Sequence, residues 1–458
     1  MRTALDRAAG RLALALIAVA TVLGAGAPVV RAADVSFGRP TATAEFGTSL
    51  TFTVEMTASD APSRVELELW FPGAVGPLLV ALDGGAGRTD LAHTWSIAAD
   101  GHLSPNTRIR SRWAAHGADG SVVRSAFAEV TYADTRYRWQ TLEGDIIRVH
   151  WHEGDAAFGR RALAIGEQAV ADTATLLGVE ETEPIDFFIY ADTDEFREAL
   201  GPRTRENVGG QANAEIRTLF ALIEPGQIDD AWVAIVIPHE LVHLVFDTAV
   251  SNPYRYPPVW LNEGLATWLS ESYSPNDRRR VEDAVRDGSL MPLDALTGSF
   301  PRQGDRIPLA YAEGASAVDY LVREHGSDAL VTLVRAYRDG VTDDEAFQRA
   351  IGMDSATFQG AWLASLGATV PERYGPQSPP PGPLPPGWAG AGESPGATSP
   401  PAAASPSGAA TPAATLPPPS TGDGDGDGGN TMLVAGLGLG LAAAGVILFM
   451  ARRRSREA

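Results

Sequence analysis

Two neighbouring stretches, PHELVHLVFD at 238–247 and VWLNEGLATWLS at 259–270, constrain this chain more than anything else in its 458 residues. On an α-helix, residues four apart differ by about 40° around the axis, so His239 and His243 point the same way and can share one metal ion. Glu240 lies about 100° round from His239, where it addresses a water on such a metal rather than the metal itself. With 8 His and 57 acidic residues in the chain, a His-acid-any-any-His match arises by composition fewer than about 0.02 times. A catalytic zinc takes three protein ligands and keeps a fourth place for water, so a third ligand must come from another element. Leu261, Leu265 and Trp268 mark the buried side of a second helix with Glu263 near its start. The proline-broken segment SNPYRYPPV between the helices lets the second fold back on the first. Glu263 is therefore the expected third ligand.

With His239, Glu240, His243 and Glu263 in place, the sequence resembles the gluzincin metallopeptidases of the peptidase MA superfamily. The nineteen residues between His243 and Glu263 match the thermolysin-like spacing, and the wording Trp-Leu-Asn-Glu-Gly is similar to bacterial peptidase-MA-like proteins. The resemblance covers about 138–366 and implies that His239, His243 and Glu263 bind one Zn2+ ion while Glu240 is the catalytic base. Further on, Tyr311 to Gly314 reads Tyr-Ala-Glu-Gly. In the aminopeptidase branch of the gluzincins a tyrosine three residues before glycine donates to the oxyanion, which makes Tyr311 the second catalytic candidate. A tyrosine packing at a helix start is the other reading, with Tyr320 and His325 as alternatives. The sequence departs from the family in two places. Thermolysin-like enzymes carry an aspartate four residues after the ligand glutamate, where this chain has Thr267, leaving Asp247 or Glu271 to orient a histidine. The aminopeptidase motif Gly-Ala-Met-Glu-Asn is not present either; GGQANAE at 209–215 lies in a comparable region. Pro238, just before His239, should kink the helix or start it.

The flanks predict a displayed protein. Residues 1–33 have basic residues, an apolar run and small residues before Asp34, the build of a secretory signal. Short alternating runs such as SLTFTVEM and SRVELELW predict an immunoglobulin-like β-sandwich over 34–137. From 138 to 372 the pattern changes to a metallopeptidase-like α+β domain with a small sheet and a mainly helical lower part. Strands are expected around His150 and His152, at 185–191 and at 214–223. His150 and His152 share a strand face but have no further ligand cluster beside them, so they read as ordinary strand residues.

Residues 373–430 are rich in Pro, Gly, Ala and Ser and too poor in apolar side chains to fold, so they predict a disordered stalk. Residues 431–451, uncharged and long enough to cross a bilayer, predict a transmembrane helix, and the positive-inside rule predicts a cytoplasmic place for the basic tail 452–458. Within the stalk, LPPPSTG resembles a sortase sorting signal, with Pro-Pro-Ser where that pattern has Leu-Pro-any; cell-wall linkage stands beside retained membrane anchoring.

The net charge of −21 argues against a nucleic-acid partner. The absence of cysteine excludes thiol catalysis and thiolate ligation. The function expected is an extracellular, membrane-anchored zinc peptidase acting on peptide or protein substrates. Its alternatives are a surface adhesion protein on a degenerate peptidase scaffold and a zinc hydrolase of non-peptide amides.

Overall fold

A computed structural model describes residues 34–201, 209–252, 256–301 and 304–369. The expected signal segment, the stalk with its LPPPSTG stretch, the membrane helix and the basic tail lie outside the described residues.

The N-terminal part holds strands β1 (Val35–Phe37), β2 (Thr41–Glu45), β3 (Ser49–Ala58), β4 (Arg64–Trp70), β5 (Leu78–Leu82), β6 (Gly87–Ser96), β7 (Thr107–His116), β8 (Val122–Arg124) and β9 (Ala128–Tyr132). β3 pairs with β1, β2 and β6 in one antiparallel sheet, and β4 and β7 centre the other. Strict alternation in β3 sends Leu50, Phe52, Val54 and Met56 inward. There they meet Val65, Leu67 and Leu69 of β4 and Ile109 and Trp113 of β7 in one apolar core, as a half-buried sheet requires.

A third, five-stranded sheet follows, built from β10 (Gln140–Glu143), β11 (Ile147–Trp151), β12 (Ile185–Tyr190), β13 (Gly210–Asn213) and β14 (Thr218–Leu222) in the order β10-β11-β12-β14-β13. β11, β12 and β14 are parallel, whereas β13 runs antiparallel to β14 and forms an edge. The run of β12, IDFFIY, apolar except for Asp186, suits a central parallel strand covered on both faces. The strand expected at 214–223 is shorter. Residues Ala214–Ile216 form a 3-10 turn and Arg217 adopts a left-handed conformation, which lets the chain reverse from β13 into β14.

The helices are α1 (Ala156–Leu177), α2 (Thr193–Leu200), α3 (Val233–Val250), α4 (Val259–Glu271), α5 (Pro275–Asp287), α6 (Arg306–His325), α7 (Ser327–Ala336), α8 (Asp343–Ile351) and α9 (Ser355–Ser365). Asp155 opens α1 by accepting from the N–H groups of Ala157 and Phe158, and Gly178 closes it in a left-handed conformation. α3 begins five residues ahead of Pro238 and runs on through it, so the helix does not start at the proline. It is the one helix among the described residues long and apolar enough to cross a membrane, yet most of it is buried in the protein. α4 and α6 cross at glycine. A Cβ added to Gly264 would lie 2.5 Å from the Gly314 carbonyl, so the two backbones touch.

Sandwich and third sheet are joined by polar contacts. Asn106, at φ 68° in the left-handed region that asparagine tolerates, donates from Nδ2 to Asp186 (2.9 Å) and Thr218 (3.0 Å). The buried Asp134 carboxylate accepts from Arg136 (2.7 Å) and from the Tyr190 hydroxyl (3.0 Å). Phe46, Tyr137 and Trp139 pack beside them against Tyr190, Phe196 and Phe220.

Candidate active site

α3 is apolar around nearly its whole circumference, as a helix in the centre of a core must be. Three of its polar side chains are buried with it: His239 is 3% exposed, Glu240 0% and His243 5%. Buried polar groups are costly without partners, so what each of these meets is informative.

His243 donates from Nδ1 to the Asn262 side-chain carbonyl at 2.9 Å, which leaves the Nε2 lone pair facing Glu263 Oε2 at 3.5 Å. His239 Nε2 is 3.4 Å from the same carboxylate oxygen and has no hydrogen-bond partner. One ligand atom from each of His239, His243 and Glu263 lies within 4.8 Å of the other two. Burial pushes His239 down to about 3, so it stays neutral, and lowers His243 as well against the opposing pull of Glu263. Two neutral imidazole nitrogens and one carboxylate oxygen converge on a single point, a donor set that fits zinc.

Glu240 points beside this cluster. Its Oε2 accepts from the Ala212 backbone N–H on β13 at 2.9 Å, and its Oε1 is buried without a hydrogen-bond partner. Burial, then the nearby Glu263, push its carboxyl up to about 8 against the Ala212 bond, so in the absence of a metal it holds a proton at neutral pH. Tyr311 on α6 completes the group. Its ring centroid is 6.1 Å from that of His239, and Phe300 packs edge-on against it at 5.0 Å.

The remaining sequence candidates are elsewhere. Asp247 accepts from the Tyr256 hydroxyl at 2.7 Å. Glu271, at the end of α4, is set among Asp277 and Arg280. Tyr320 packs on Phe358, and His325 belongs to the last turn of α6. Thr267 is buried, with its hydroxyl lacking a hydrogen-bond partner. His150 pairs with Asp186 at 2.9 Å and His152 faces Glu195 at 3.1 Å, so each has its own acid, and neither belongs to the cluster of His239, His243 and Glu263.

Sequence reasoning missed Asn262, the residue that orients His243, although its place immediately before the ligand glutamate was a usable signal. It also missed the part played by Ala212 and Gly210. A Cβ on Gly210 would lie 2.9 Å from Glu240 Cγ.

Residues 165–368 match the profile of the Peptidase MA superfamily. The chain is similar to aminopeptidase M1-A of Oryza sativa subsp. japonica, at 25% identity over 253 residues, covering 50% of this chain and 28% of that protein. It is also similar to aminopeptidase 2 of Candida albicans (strain SC5314 / ATCC MYA-2876), at 30% identity over 162 residues, covering 30% of this chain and 17% of that protein. The chain thus spans less than a third of the length of either curated relative. Among solved structures it is similar to an M1 zinc metallopeptidase from Deinococcus radiodurans, at 15% identity and a TM-score of 0.37, covering 75% of this chain and 96% of that one. The profile match, over 204 of the 458 residues, makes 165–368 the part of the chain that resembles the superfamily.

Proposed function

We propose that the chain is a zinc-dependent peptidase, displayed on the outer face of a cell and held to the membrane by the apolar segment 431–451. The observation that carries the activity is the convergence of His239, His243 and Glu263 beside a buried Glu240 with one carboxylate oxygen lacking a hydrogen-bond partner. The aminopeptidase relatives support peptides as the substrate class.

His239, His243 and Glu263 would hold the ion, with Asn262 fixing the His243 tautomer. When bound there, zinc supplies Lewis acidity, making water a nucleophile at neutral pH and polarising a carbonyl. Glu240 Oε1 takes the proton of the attacking water and returns it to the leaving amine, while Ala212 keeps Oε2 in place. The Tyr311 phenol donates to the oxyanion as it develops. The buried setting of these groups strengthens each interaction by keeping bulk water away.

The test is Glu240→Gln in the full chain, assayed on a mixed peptide library beside zinc analysis. Stoichiometric zinc with turnover lowered at least about 10²-fold is expected. Wild-type turnover in that variant, or a purified chain that binds no zinc, would sink the proposal.

A further inference from the structure

The geometry points to edge strand β13 as the element that aims the Glu240 carboxylate, with Gly210 as a positioning residue. The inference rests on the peptidase reading above and concerns how that chemistry is held in place.

β13 grips Glu240 at two points. Its Ala212 N–H is turned toward α3 and donates to Oε2 at 2.9 Å. Two residues earlier, Gly210 leaves open the space that the Glu240 stem occupies. A Cβ there would lie 2.9 Å from Glu240 Cγ, 3.5 Å from its Cδ and 3.1 Å from Val236 Cγ1. Val236 and Glu240 are one helical turn apart, so both contacts fall on the same face of α3. Gly210 does not have a positive φ, so its backbone conformation would admit other residues; the space alone excludes them. Register fixes the arrangement, because Gly210 pairs with Ala221 and Ala212 with Leu219 of β14. The result is a carboxylate anchored at Oε2 whose Oε1 has no hydrogen-bond partner. A methyl group at 210 pushes on the middle of the side chain, and a displacement on the order of 1 Å is enough to cost about 10²-fold in rate.

The experiment uses the zinc-loaded full chain and whichever quenched peptide of a mixed library it cleaves fastest. Gly210→Ala is expected to lower kcat about 10-fold or more, with KM within about two-fold, zinc stoichiometric and Tm nearly unchanged. Ala212→Pro is the second variant. It replaces the N–H that Oε2 accepts by a ring carbon that pushes Oε2 away, at a donor outside the strand ladder on an edge strand where proline is tolerated, and it should give the same signature. Full kcat in both variants overturns the inference, as does a fall in kcat matched by loss of zinc or of Tm, which would make the role merely structural. A dead Glu240→Gln together with an unimpaired Gly210→Ala refutes the positioning role alone; an active Glu240→Gln refutes the peptidase reading itself.

Discussion

Asn262 determines which imidazole nitrogen of His243 is left for a metal, because its carbonyl oxygen can only accept. Asn262→Ala should therefore weaken zinc affinity about 10–100-fold, measured by competition with a chelating dye, and Asn262→Asp, which keeps an acceptor, should restore most of it. Tyr311→Phe removes a donor without disturbing the ring packing of Phe300 and His239. It should lower kcat about 10²–10³-fold with zinc content unchanged. The clustering of His239, His243 and Glu263 was legible in the sequence because helices impose their spacing, whereas Tyr311 was reached only through the family resemblance. Ala212 and Gly210 were not. One contributes a backbone N–H and the other an empty volume, and neither leaves a mark of residue type.

At the level of elements, the site depends on how α4 meets α6. Gly264 follows Glu263 directly, and Gly314 lies three residues after Tyr311, so the glycine crossing sets the distance between ligand and phenol. Gly264→Ala forces backbone against backbone. It should cost about 1–3 kcal/mol of stability and weaken zinc binding in parallel, seen by calorimetry and metal analysis. The glycines were visible in the sequence, but nothing in it says which helix backbone each one touches. Pro238 does not mark the start of α3. Interior proline costs a helix about 3 kcal/mol, but tertiary burial around nearly all of α3 outweighs that local penalty.

For the molecule as a whole, the sandwich, the mixed domain and the change of pattern near 138 could all be read from hydrophobic periodicity. The polar junction could not, since Asn106, Asp186 and Thr218 are far apart in sequence. Buried titratable groups make the stability of the metal-free chain depend on pH. Burial raises the Glu240 and Glu313 carboxyls from 4.5 to about 8, so each withdraws stability as pH rises through that window. Burial lowers His239 from 6.5 to about 3, so its contribution is lost as pH falls through that window. Each contributes about 1.4 kcal/mol per pH unit. Thermal unfolding of the chelated chain should give a Tm that rises from pH 8 to 6.5 and climbs about half as steeply below, where one histidine opposes two acids; a Tm that falls steadily over pH 8 to 6.5 contradicts this. If the chain is displayed as proposed, the apolarity of α3 bears on its export as well as on catalysis. An unfolded chain passing through a translocation channel presents Val233–Val250 as a segment able to lodge in lipid. His239, Glu240 and His243 stand in its middle, where an ionised side chain costs about 3 kcal/mol to insert. In an exported chain the site residues would thus oppose arrest of this segment in the channel. An inactive control built with leucines would lose that barrier, whereas Glu240→Gln keeps a polar group there.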